Sequence, residues 1–211
     1  IEKERSIASA RGNIYDRNGN LLAYNELAYS VTIEDVYESG RYKNRNINKT
    51  LYTVIKMIEK NGDSVISGYE VMLNENGEYE FSVNGTKLLR YLADIYGHKS
   101  IDSLELQEKN ASPDEVVEYL CSTKKYGIGS YTDPGDSSTF VPCMGYTKEE
   151  LLKIITIRDA MSANSYQKYI PTTIATDVSD ETVAVIMENL DSLDGVTIAE
   201  DTVRRYVEGK Y

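Results

Sequence analysis

The stretch RGNIYDRNGNLLA, residues 11–23, decides how the rest of the chain is read. Two short apolar runs flank Asn18-Gly19. Both of those positions tolerate positive φ, so the pair predicts a two-residue β-hairpin turn. Ile14, Leu22 and Ala23 can then pack on one face. Asp16 and the arginines Arg11 and Arg17 can bridge segments through charge-assisted, bidentate hydrogen bonds. Arg204, near the far end of the chain, is an expected partner in that network. Were such a network buried, cutting one partner would cost about 3–5 kcal/mol. Residues 16–20, DRNGN, also start like a calcium loop. That reading fails, because Leu21 stands where the loop needs glycine and Leu27 where it needs glutamate.

Outward from the hairpin, LAYSVTIEDVY (27–37) alternates and predicts another strand. NKTLYTVIKMIEKNG (48–62) carries Leu51, Val54, Ile55 and Ile58 at helical spacing and stops at Asn61-Gly62. YEVMLNENGEYEFSV (69–83) predicts a second hairpin around Asn76-Gly77. Residues 84–97 form a short helix. Residues 112–127 form another, with Ser112 as N-cap, Pro113 in the first turn and Glu115 closing a capping box. Residues 132–145 have the composition of an exposed loop. Residues 146–165 are the strongest helix, with Thr147 and Glu150 placed for a capping box. A capped helix over 179–193 and a strand over 194–207 close the chain. Strands at both ends with helices between them indicate an α+β fold rather than a βαβ series.

Composition bounds the function. The 211 residues carry 34 acidic and 23 basic side chains, a formal net charge of −11. That balance repels a phosphate backbone, so nucleic acid is not an expected partner. No apolar run approaches the roughly 20 residues that span a bilayer. The start, IEKERSIASARG, has no Met and reads as an expression boundary. Cys121 and Cys143 are too far apart for a C-x-x-C pair, and one disulfide or two free thiols both fit. No cofactor or metal is expected. His98 is the only histidine, which leaves no Ser-His-Asp set and no histidine-based zinc site.

One chemical motif stands out. Ser122-Thr123-Lys124-Lys125 spells S-x-x-K, the nucleophile motif of serine acyltransferases, in which serine and lysine share a helix face. Yet roughly one S-x-x-K is expected by chance in a chain of this composition. A second occurs at Ser165…Lys168, and the K-[ST]-G element is missing. The doubled lysines also suit a helix C-terminus, where cations meet free carbonyls. A stand-alone acyltransferase using Ser122 is therefore the alternative reading. Another is a peptidoglycan- or sugar-binding module using some of the 18 tyrosines. Tyr91, Tyr119 and Tyr166, on helices, read more simply as edges of the core.

Residues 11–23 match R-G-x-I-x-D-R-N-G-x-x-L-A at Arg11, Gly12, Ile14, Asp16, Arg17, Asn18, Gly19, Leu22 and Ala23. This resembles the first motif of the N-terminal dimerisation, or pedestal, domain of class B penicillin-binding proteins. Residues 169–206 are similar to the segment that closes this domain, with Arg204 and Tyr206 on its R-x-Y-P motif. Val207 stands where that motif has proline, and Asp194 where the preceding turn has proline. RDAMSANSYQKY (158–169) resembles the helix end before that segment in Gram-positive members. Residues 40–145 match only loosely.

The resemblance implies an elongated pedestal of hairpins and strands from both chain ends. Residues 1–40 and 166–211 would form it, with 41–165 inserted as a mainly helical head. It makes Arg11, Gly12, Asp16, Arg17, Asn18, Gly19, Arg204 and Tyr206 architectural residues, with no catalytic group among them. It implies a segment without the transpeptidase domain, which in this family lies downstream and carries the nucleophilic serine. The parent would be a peptidoglycan DD-transpeptidase on the extracytoplasmic face of the membrane, anchored by a preceding helix. Implied partners are its own transpeptidase domain, a SEDS-family glycosyltransferase or other elongation or division proteins, and a second copy of itself.

Overall fold

The computed structural model describes residues 11–133, 135–164 and 170–207. The strands and helices run β1 (Ile14–Tyr15), β2 (Leu21–Ile33), α1 (Lys43–Lys60), β3 (Val71–Leu73), β4 (Tyr79–Phe81), α2 (Gly85–Tyr96), α3 (Leu106–Lys109), α4 (Pro113–Cys121), β5 (Gly129–Tyr131), β6 (Phe140–Pro142), α5 (Lys148–Ala163), β7 (Thr172–Ala175), α6 (Asp180–Asn189) and β8 (Val196–Tyr206). The fold is α+β, with small antiparallel sheets.

β2 is the spine. β8 pairs with it antiparallel from Ala23↔Tyr206 to Ile33↔Val196. β1 and β7 share the other edge, β1 at Leu21–Ala23 and β7 at Val31–Ile33. The two halves of β2 live in different surroundings. Ser30, Val31, Thr32 and Ile33 are all buried, so that half is covered on both faces. Leu21–Leu27 is largely open, with Glu26 and Leu27 exposed. Residues 27–37, expected as a separate strand, thus divide differently. Their first part continues the hairpin arm, because Leu21–Ile33 contains no glycine or proline to break it. Glu34 leaves the strand and binds the Asp194-Gly195 turn through its N–H.

The core lies around the buried half of β2. α1 presents Ile47, Leu51, Val54, Ile55 and Ile58, one helical stripe. α5 adds Leu151, Ile154, Ile155 and Ile157, and the same cluster continues to Leu92, Val116 and Leu120. The end segments and the middle of the chain therefore share one apolar core. Both anticipated capping boxes form: Ser112 with Glu115, and Thr147 with Glu150. Glu150 also meets Lys56, and these bonds hold its carboxyl down to about 2. Asp63, just past α1, accepts from the Ser179 N–H and from the Ser179 and Thr182 hydroxyls, tying α1 to the start of α6. Burial pushes its carboxyl up, and those bonds outweigh it to leave a lowered pKa.

Residues 132–145 are not simply a loop. Phe140–Pro142 pairs with Gly129–Tyr131 in a short hairpin. Three-residue strands are too short to show alternation. The signal is Gly129, where a Cβ would collide with the Val141 carbonyl. Cys121 is buried at the end of α4, and both cysteines are free thiols.

Candidate functional site

The family-type residues gather on the open half of the sheet. Asp16 opens the turn. Its Oδ1 accepts the N–H groups of Asn18 and Asn20, each at 2.8 Å, and its Oδ2 accepts the Asn20 amide at 2.7 Å. The Gly19 N–H reaches the Asp16 carbonyl at 3.1 Å, and the Asp16 N–H reaches the Asn20 carbonyl at 2.9 Å. Gly19 has φ +85°, whereas Asn18 is not in the left-handed region. The turn is therefore a type I turn closed by a glycine bulge, not the two-residue turn expected from Asn-Gly. The side chain of Asp16 supplies the difference, because it can cap N–H groups two and four residues on.

This corrects the expected charge network. Among the described residues no ion pair joins Asp16 to Arg11, Arg17 or Arg204. Local donors reach the carboxylate with little ordering of long side chains, so they win over distant guanidinium groups. The Asn20 side chain and then the turn N–H groups lower the Asp16 pKa below its ordinary value. The hairpin is exposed, so the large penalty of a broken buried pair does not apply to it.

The link between the chain ends comes from Arg204 and a residue that the sequence did not single out. Arg204 donates to the Gly12 carbonyl at 2.8 Å and to Asn25 Oδ1 at 3.0 Å. Asn25 Nδ2 in turn donates to the Arg11 carbonyl. Asn25 and Arg204 face each other across β2 and β8. One guanidinium and one amide thus tie the entering strand to the closing strand through backbone carbonyls. Arg205 was also missed. It binds Glu26 at 2.7 Å and the Asp177 carboxylate at 3.0 Å, joining β8 to β2 and to the β7–α6 turn. The cross-strand register places Asn25 opposite Arg204 and Glu26 diagonal to Arg205.

Apolar side chains crowd the same area. Ile14 and Tyr206 flank Ala23 from either side of β2. Ile14 is 52% and Tyr206 70% exposed, and Leu27, four residues along β2, is 58% exposed. Arg17, Asn18 and Gly19 project from the tip as exposed residues.

The alternative chemistry is not assembled. Ser122 lies one residue past α4, at its C-cap, and donates its hydroxyl to the Tyr119 carbonyl at 2.7 Å. The Lys124 backbone N–H, not a lysine amine, approaches its Oγ. The second S-x-x-K lies outside the described residues, as does Tyr166. Tyr91 is buried edge-to-face against Tyr69 and Phe81, and Tyr119 packs on Tyr96. His98 binds Glu108 at 2.7 Å. No cluster of metal-ligating side chains occurs among the described residues.

The family model for the penicillin-binding protein dimerisation domain matches residues 6–211. The chain belongs to that family. Two similar solved structures are penicillin-binding protein 2B from Streptococcus pneumoniae. The strain 5204 protein is 22% identical, with a TM-score of 0.44, over 96% of this chain and 26% of that one. The strain R6 protein is 20% identical, with a TM-score of 0.38, over 95% of this chain and 26% of that one. The dimerisation domain thus spans about a quarter of those chains. No curated protein matches it. No described helix of the domain is long and apolar enough to cross a membrane.

Proposed function

We propose that this domain is a non-catalytic pedestal that positions the transpeptidase domain of a membrane-anchored penicillin-binding protein on the extracytoplasmic face. The observation that carries the reading is the clamp. Arg204 and Asn25 hold the strand that enters the fold beside the strand that closes it, on the open half of one sheet. An anchor before the first strand and a domain after the last would then be held by one rigid unit. Residues 41–165 would form the head above it. The mechanism is geometric, since a fixed mount limits where a tethered active site can reach. The exposed row of Ile14, Tyr206 and Leu27 suits a protein partner, either a second copy of the domain or another component of peptidoglycan elongation or division such as a SEDS-family glycosyltransferase.

The test uses the full-length enzyme. Arg204→Ala should leave labelled β-lactam acylation of the transpeptidase domain intact while peptidoglycan crosslinking in cells falls. Unchanged crosslinking would overturn the positioning role. Incubating the 211-residue chain with the same β-lactam should give no covalent adduct by intact mass, and an adduct at Ser122 would restore the acyltransferase reading.

A further inference from the structure

Arg158 is an anomaly. It lies on α5, among the apolar residues of the core, and is only 9% exposed. Its Nη2 donates to Asn44 Oδ1 at 2.7 Å, and the guanidinium stacks 5.3 Å from the centre of the Tyr126 ring. Its Nε is buried without a partner. Among the described residues no carboxylate lies within ion-pair distance of it. Buried guanidinium groups ordinarily meet carboxylates or phosphates, because an uncompensated buried charge is costly. Burial accordingly pushes the pKa of Arg158 down, with Tyr126 and Asp35 opposing it.

Arg158 lines an open cleft of about 410 Å3. Lys43, Lys124 and Lys125 line it too, and the one carboxylate among its described lining residues, Asp35, is engaged by Lys43 at 2.6 Å. Among its described lining residues, four cations against one anion, in a chain of net charge −11, make this cleft opposite in sign to the molecule around it. The start of α1 opens onto the same cleft through Lys43, Asn44 and Ile47. That helix has 18 residues, no side-chain cap on its first turn and no acidic residue there. Its first residues are instead Lys43, Asn44 and Arg45. Cations at the positive end of a helix dipole are unfavourable unless an anion joins them.

We infer that this cleft is a binding site for a compact oxyanion, a phosphate or carboxylate group, held by Arg158, Lys124, Lys125 and the first turn of α1. Asn44 is the positioning residue. Its Oδ1 holds the Arg158 fork while its amide reaches the Lys125 carbonyl. The ligand would complete the hydrogen bonding of the guanidinium, which offers a planar bidentate face.

The experiment is titration of the 211-residue chain with inorganic phosphate, with N-acetylalanine as the carboxylate, and with chloride at matched ionic strength. Binding is read by calorimetry and by the shift in Tm. One oxyanion arm should saturate and raise the Tm while chloride does not, and the arm that responds names the ligand group. Arg158→Met should weaken that binding roughly tenfold or more. Lys124→Ala with Lys125→Ala changes half-exposed and exposed residues that carry no part of the core, and should also weaken it. This second variant keeps the test decisive if the methionine variant folds poorly. Equal responses to phosphate, N-acetylalanine and chloride would overturn the inference. So would an oxyanion response that survives in the double lysine variant.

Discussion

The turn at Asp16–Asn20 and the turn at Asn74–Glu78 are the same device in two settings. In each, the first side chain accepts the N–H groups of the third and fifth residues, at 2.8 and 2.8 Å for Asp16 and at 2.9 and 3.0 Å for Asn74. In each, a glycine N–H returns to the first carbonyl, from Gly19 in one and Gly77 in the other. What differs is the strands they join. The second turn carries β3 and β4, whose Val71 and Phe81 pack into or against the core. The first carries β1, both of whose residues are exposed. One local code thus serves packing against the core and presentation at the open end of the sheet. The turn fixes how the chain reverses, and the flanking strands decide what the reversal is for.

The strands should therefore respond most unequally. Val71→Ala removes two methyl groups from a side chain that is only 2% exposed and should cost about 2–3 kcal/mol in chemical denaturation. Ile14→Ala should stay within about 0.5 kcal/mol, as for other exposed positions. Similar losses for the two would mean that the first hairpin is packed in solution, and a dimer formed through the exposed row is the state to look for.

The turns themselves should respond alike. Gly19 and Gly77 sit at φ +85° and +73°, and nothing lies within 4 Å of a Cβ at either. The cost of alanine is then conformational only, about 1 kcal/mol at each site. Asparagine should recover part of it at both, since it tolerates the left-handed region better. Amide hydrogen exchange across the two hairpins measures both sites on one scale. A cost at Gly77 with none at Gly19 would break the equivalence.

Local codes of this kind are what the sequence makes legible. The capping boxes at Ser112 and Thr147 and the stripe of α1 involve residues within a turn or two of one another. The match at residues 11–23 identified the family for the same reason, since its turn is closed by neighbours. What lies across the sheet was hidden. Asn25 and Arg204 are 179 positions apart, and their meeting depends on a register that no local pattern specifies. Asp16 was misread because its role was sought at long range, when donors two and four residues away were nearer. Arg158 escaped notice for another reason. An arginine among the charged residues of a helix looks solvated, and only the packing of α1 and Tyr126 over it shows otherwise.

The finest difference between the turns is chemical. Asp16 titrates and Asn74 does not. The folded pKa of Asp16 is lowered by its bonds to Asn20 and to the turn N–H groups, so its contribution is present above the ordinary value of 3.8 and is lost as the pH falls through the lower folded value. Acidification should then loosen the first turn while leaving the second intact. Backbone amide shifts of Asn18 and Asn20 should move together in that window, and those of Asn76 and Glu78 should not. Exchanging the two residues completes the comparison. Asp16→Asn keeps an acceptor oxygen for both N–H groups and should abolish the acid response with little change near neutral pH. Asn74→Asp should create that response in the second turn. A first turn that still loosens in Asp16→Asn would place the sensitivity in another carboxylate, and the two turns would then differ by surroundings rather than by a single ionisable atom.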